Sequence, residues 1–126
     1  MVSQSRAARI ANRIRELLSE LLIFEVTDPR LQRVFITDVN VDRELAYASI
    51  YVSALEGAER EKEILAGFKH ASGYLRSLLA QRIELRTFPK LRFLWDPTPE
   101  HAEHIEQLIA SLHEQDKVKE KSKKRG

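Results

Sequence analysis

The residues of this 126-residue chain whose type and spacing could do chemistry are basic. Arg6, Arg9 and Arg13 recur at i, i+3 and i+7, a spacing that lines three guanidinium groups along one side of a helix. A second set, Lys69, His70, Arg76, Arg82 and Arg86, falls within residues 64–95, where Glu84 is the sole acid. Cations grouped in this way neutralise the phosphates of a polyanion and release its counterions. Such contacts give affinity and salt dependence rather than choice of sequence. The same residues also fit plain solvated faces with a solubilising tail, and charge alone leaves both readings open. Arg82 falls near the apolar arc of Leu75 and Leu79, where its stem could lie along apolar surface with only its head in water. Arg30 could equally hold the turn after the first helix.

Other chemistries find less support. His101 and His104 are spaced i, i+3 beside Glu100 and Glu103, but no third distant ligand completes a metal set. Acid–base catalysis needs carboxylates gathered in an apolar cleft with shifted pKa values. Here Glu56, Glu59, Glu61 and Glu63 crowd one solvated helix start. Glycine-rich phosphate loops are absent, so no enzyme, cofactor or small-molecule substrate is expected. Tyr47, Tyr51, Phe93 and Trp95 could stack on bases. A small sheet needs large apolar residues toward its helices, which claims Phe93 and Trp95 and leaves Tyr47 or Tyr51 as the exposed aromatic.

Twenty-one Lys and Arg oppose nineteen Asp and Glu, a net charge of +2 that hides an uneven distribution. Residues 1–24 hold four Arg against two Glu, and residues 117–126 hold five Lys and Arg125 against Glu120. The span between them is net negative. The length suits one domain with a real core. The lack of cysteine excludes disulfides and allows a reducing cytosol. No apolar run suits a secretory signal or a bilayer span. An Arg-bearing amphipathic N-terminus can mimic a transit peptide, but Glu16, Glu20 and a full core stripe argue against that. A cytoplasmic protein, monomeric when free and without a membrane partner, is expected.

These side chains need elements to position them. Ile10, Ile14, Leu17, Leu18, Leu21 and Leu22 keep helical period and predict a helix over about 5–24, ended by Asp28-Pro29. Residues 34–41 alternate at period two, with Phe35, Thr37, Val39 and Val41 on one side, and predict a strand. Asp42-Arg43-Glu44 turns into a second strand over 45–53, with Ala46, Ala48, Ile50 and Val52 on one face, giving an antiparallel hairpin. A helical run starts near Gly57. Its pattern changes at Ala71-Ser72-Gly73, and because glycine weakens a helix the run is read as two helices meeting at a kink. Pro89 opens a third strand over 91–95. Thr98, Pro99 and Glu100 start a last helix with the stripe Ile105, Leu108, Ile109 and Leu112. Residues 1–113 are thus expected to form one domain and residues 114–126 a basic disordered tail, dispensable for folding.

The order α-β-β-α-kink-α-β-α makes an α+β domain, a three-stranded sheet with its helices on one face. It is the order of a single type II K-homology (KH)-like domain, in which single-stranded RNA lies beside two helices meeting at a tight turn. Ordinary KH domains carry a Gly-x-x-Gly loop, and this chain has none. Five short motifs occur in order: Asp28-Pro29-Arg30-Leu31, Ile36-Thr37-Asp38-Val39, the Ala46 to Val52 strand, Gly73-Tyr74-Leu75-Arg76, and Leu85-Arg86 through Pro89 to Leu91-Arg92-Phe93. Together they resemble the ribosome-binding factor A family, in which Ala71-Ser72-Gly73 would be the kink that replaces the loop. The resemblance implies binding to the small (30S) ribosomal subunit and its 16S rRNA late in assembly. It also implies support of 5′-end rRNA processing and of growth in the cold, as in a cold-shock response. Under it Arg6, Arg9, Arg13, Lys69, His70, Arg76, Arg82 and Arg86 become candidate RNA contacts. Two other functions fit the residues: a general single-stranded RNA binder, and a protein-interaction module whose basic tail meets an acidic partner.

Overall fold

The structure, a computed structural model, describes residues 4–99. Helix α1 spans Gln4–Phe24 and buries Ile10, Ile14, Leu17, Leu18, Leu21 and Leu22, the stripe its spacing predicts, together with Ala7 and Ala11. The chain then turns through a single 3-10 turn, Pro29–Leu31. Asp28 caps that turn by accepting the Arg30 amide at 2.9 Å, and Leu31 drops into the core.

Strands β1 (Val34–Val41) and β2 (Tyr47–Ala54) form the expected antiparallel hairpin. The second strand begins later than its sequence predicts. Leu45 takes a positive φ of 56°, and the Asp42 carboxylate accepts the amides of Ala46 (2.8 Å) and Tyr47 (3.0 Å), so this stretch belongs to the turn. β1 also departs from strict alternation. The register shifts between Ile36 and Asp38, leaving Thr37 as the extra residue of a bulge. Ile36 and Val39 are therefore both buried, although period two would put them on opposite faces.

Gly57, at φ 86°, admits a second short 3-10 turn and then helix α2, Glu61–Arg82. The expected division into two helices is not found. Ala71, Ser72 and Gly73 lie inside this one unbroken helix, so the described order is α-β-β-α-β. The reason is packing: Ile64, Phe68, Leu75 and Leu79 are all fully buried and keep one helical period across Gly73. A glycine in a helix costs only about 1 kcal/mol, which that burial outweighs.

Strand β3 (Lys90–Trp95) lies parallel to β2, giving the order β1-β2-β3. Ala48, Ile50 and Val52 of the central strand are fully buried in a core shared with α1 and α2, and Phe93 stacks on Phe68 at 4.3 Å between centroids. A compact unit ends at Asp96. The expected last helix, the basic tail and the boundary at 113 lie outside the described residues. No helix among the described residues is long and apolar enough to cross a membrane.

Candidate nucleic-acid interface

Arg6, Arg9 and Arg13 of α1 all reach solvent while Ala7, Ile10 and Ile14 beside them are buried. Arg13 meets Glu16 at 3.5 Å, with both side chains more than half exposed. Such a pair contributes little, so the guanidinium can exchange its partner for a phosphate at small cost. Ala8 and Asn12, with Ala7 and Ala11, border a cavity against residues 39–44 on the other flank of the helix. Arg6, Arg9 and Arg13 thus share a side of α1 away from that cavity.

Lys69 is exposed beside a groove between α2 and β3, lined by Leu65, Lys69, Ser72, Leu91, Arg92 and Phe93. β3 is an edge strand. Lys90 donates its amide to Ala46 O at 2.9 Å and Asp96 donates to Val52 O at 2.8 Å, which fixes the parity of the ladder. The even-numbered residues of β3 face β2, and the backbone groups of Leu91 and Phe93 point outward over the groove. An apolar floor, a row of backbone donors and acceptors turned away from β2 with no strand beyond them among the described residues, and a cation at the rim suit a single strand with exposed bases.

The remaining candidates do not gather there. His70, about 100° further round α2, lies on the side of Asp28, whose carboxyl its charge helps to lower. Arg82 is exposed at the end of α2, and Arg86 is exposed in the loop that follows. Arg76 has another task. It is half-buried, and its Nε and Nη2 donate to Pro89 O (3.1 Å) and Phe88 O (2.6 Å), so it anchors the loop that delivers β3. Arg9, Lys69, Arg82 and Arg86 form no ion pair among the described residues.

Arg30 also serves structure. Its side chain grips Asp28 bidentately, with Nη2 to Oδ2 at 2.7 Å and Nε to Oδ1 at 3.1 Å. The hydrogen bond from the Arg30 side chain, and then that from its amide, hold the Asp28 carboxyl below the ordinary carboxylate range. One residue of this kind carried no sequence signal. Arg60, with its side chain 15% exposed, donates to Glu63 (2.7 Å), Glu56 (3.1 Å), Gln32 O (2.8 Å) and Arg30 O (3.0 Å). It fastens the Pro29–Leu31 turn to the start of α2. Glu56 is held below the ordinary carboxylate range by its own amide, then by Arg60 and Arg33. Two carboxylates of the acidic helix start are thus satisfied within the fold.

Arg92 and Tyr47 were likewise not singled out as a pair, and the guanidinium carbon lies 3.6 Å from the ring centroid. Among the described residues, no group of three or more His, Cys, Asp and Glu is placed to hold a metal ion. His101 and His104 lie outside the described residues.

The chain is similar to known proteins. The family model of ribosome-binding factor A matches residues 6–109. Ribosome-binding factor A of Alcanivorax borkumensis is 46% identical over 114 residues, covering 90% of this chain and 83% of the relative. That of Thiobacillus denitrificans is 39% identical over 111 residues, covering 88% and 90%. The crystal structure of ribosome-binding factor A from Thermus thermophilus superposes with a TM-score of 0.63 at 27% identity, covering 71% of this chain and 93% of that one. A homology model of the Thermus thermophilus factor, fitted into a cryo-electron-microscopy map of a 30S–RbfA complex, matches with a TM-score of 0.55 at 28% identity, covering 66% and 87%. The fold is KH-like, and the chain belongs to the ribosome-binding factor A family.

Proposed function

We propose that this protein binds the small (30S) ribosomal subunit through its 16S rRNA late in maturation, and thereby supports processing of the rRNA 5′ end and growth in the cold. It would act as a cytoplasmic monomer, without catalysis. The observation that carries the reading is the relative fitted into a 30S complex. The exposed cations on α1, on α2 and after it supply the chemistry for phosphate contact. Arg6, Arg9, Arg13, Lys69, Arg82 and Arg86 are the expected contacts, and Arg76 acts indirectly by holding β3.

The test is a sucrose-gradient profile of the tagged protein together with a salt titration of binding to isolated small subunits. Wild type should travel with free small subunits. Replacing Arg6, Arg9 and Arg13 with Gln should leave the fold intact and weaken binding. It should also make the slope of log affinity against log salt shallower by roughly two to three units if each meets a phosphate. A wild-type slope would take α1 out of the RNA surface. The open groove along β3 favours a second reading, a general single-stranded RNA binder. Tight binding to short unstructured oligonucleotides, without cosedimentation with subunits, would favour it.

A further inference from the structure

The sheet has a second face. Ala48, Ile50 and Val52 of β2 turn to the helices, so Tyr47, Ser49 and Tyr51 turn away from them. In the parallel register Tyr47 sits opposite Lys90, Ser49 opposite Arg92 and Tyr51 opposite Leu94, which brings these three β3 residues onto the same face. Arg92 leans diagonally onto Tyr47, its guanidinium carbon 3.6 Å from the ring centroid. Lys90 and Arg92 are exposed, and no carboxylate among the described residues pairs with either. Tyr47 is 36% and Leu94 39% exposed.

The charge on this face is graded. β1 places Asp38 opposite Tyr51, Asp42 lies in the turn beside Tyr47, and Asp96, just past β3, is turned across the sheet to Thr37 of β1, so the acidic side is β1 and the basic side is the Lys90–Arg92 end of β3. A polyanion is repelled along β1 and attracted along β3. The ring of Tyr47 already strips water from one side of the Arg92 guanidinium and holds it in place. A planar, delocalised cation held in this way is a ready surface for a flat ring, because bases stack on guanidinium planes as well as on aromatic ones.

We infer that the Arg92–Tyr47 pair is a stacking platform for one unpaired RNA base, with Lys90 meeting the neighbouring phosphate. The inference rests on the RNA-binding reading above, but its site is the sheet face, separate from the arginines of α1. An RNA strand following the free edge of β3 could then offer bases to the groove beside Lys69 and one base to Arg92 on the other side.

The experiment measures binding of a fluorescent oligouridylate, of the same oligomer with abasic positions, and of isolated small subunits to the full chain. Tyr47→Ala and Arg92→Lys should each weaken intact oligomer binding by about five- to a hundredfold, the range of base–aromatic stacking. Tyr47→Phe should stay within about twofold, since the ring is kept. Arg92→Lys keeps the charge, so its salt slope should match wild type, and all variants should bind the abasic strand alike. Unchanged melting temperatures for Tyr47→Phe and Arg92→Lys keep the comparison clean. If Tyr47→Ala and Arg92→Lys bind like wild type while the α1 triple variant is weakened, the platform is wrong and the RNA-binding reading stands. If wild type binds neither oligomer nor subunit, that reading fails. If the abasic strand, or a polyglutamate peptide, binds wild type as tightly as the intact oligomer, the face selects charge and not bases, and the inference is overturned.

Discussion

The two halves of α2 carry one interior glycine each, and the two glycines do opposite things. At Gly67 a Cβ would stand 3.0 Å from Leu31 Cδ2 and 3.2 Å from Arg30 Cβ. At Gly73 it would meet nothing within 4 Å. The first half of the helix is clamped. The Pro29–Leu31 turn lies against Gly67, the Asp28–Arg30 grip braces it, and Arg60 ties its carbonyls to Glu56 and Glu63. The second half is exposed at Gly73 and Tyr74, and Arg76 reaches to a neighbouring loop. Glycine in a helix therefore signals close approach in one place and nothing steric in the other, and only the partner surface tells them apart.

The largest effect that would break this comparison is at Gly67. Gly67→Val should force the Pro29–Leu31 turn off α2 and destabilise the fold by about 1–3 kcal/mol, as overpacking does. Denaturant unfolding measures it, and a wild-type midpoint would mean that the turn yields freely. Gly73→Ala should move the other way, stabilising by up to about 1 kcal/mol because a helical glycine is relieved without a clash. Destabilisation there would show that the helix needs glycine at that point. The smallest effect concerns the grip itself. Asp28 is held below its ordinary pKa of about 3.9 when folded. Its contribution is therefore present above that value and lost as pH falls through the lower, folded one. Asp28→Asn should lower the melting temperature at pH 7, and the gap to wild type should close as pH falls below the ordinary carboxylate range. A gap constant with pH would leave the carboxylate charge without a role.

Much of the scaffold was legible because periodicity reports burial. The stripe of α1 and the span of β1 follow directly from spacing. The break at Ala71-Ser72-Gly73 was read from local propensity, and the burial of Leu75 and Leu79 overrode it. The bulge at Thr37 left no trace in a β-branched run that alternates convincingly as written. For the interface, sequence could group the cations but not their engagements. Arg76 and Arg60 look like any surface arginine until the carbonyls of Phe88, Pro89, Arg30 and Gln32 come within reach. Arg92 and Tyr47 are far apart in sequence, and only the parallel register of β3 brings them together.

The bulge bears on how copies of this chain meet one another. A three-stranded sheet ends in two bare edges, and each is a template for a foreign strand. On β1, the extra residue at Thr37 interrupts the ladder, and its hydroxyl crosses β2 to donate to the Asp96 carboxylate, which fastens the distortion in place. A straight incoming strand cannot match that edge. β3 is regular, but a second copy arriving there would set Lys90 and Arg92 against their own images. Self-pairing is opposed at one edge by shape and at the other by charge, while a negatively charged strand is refused only at the first.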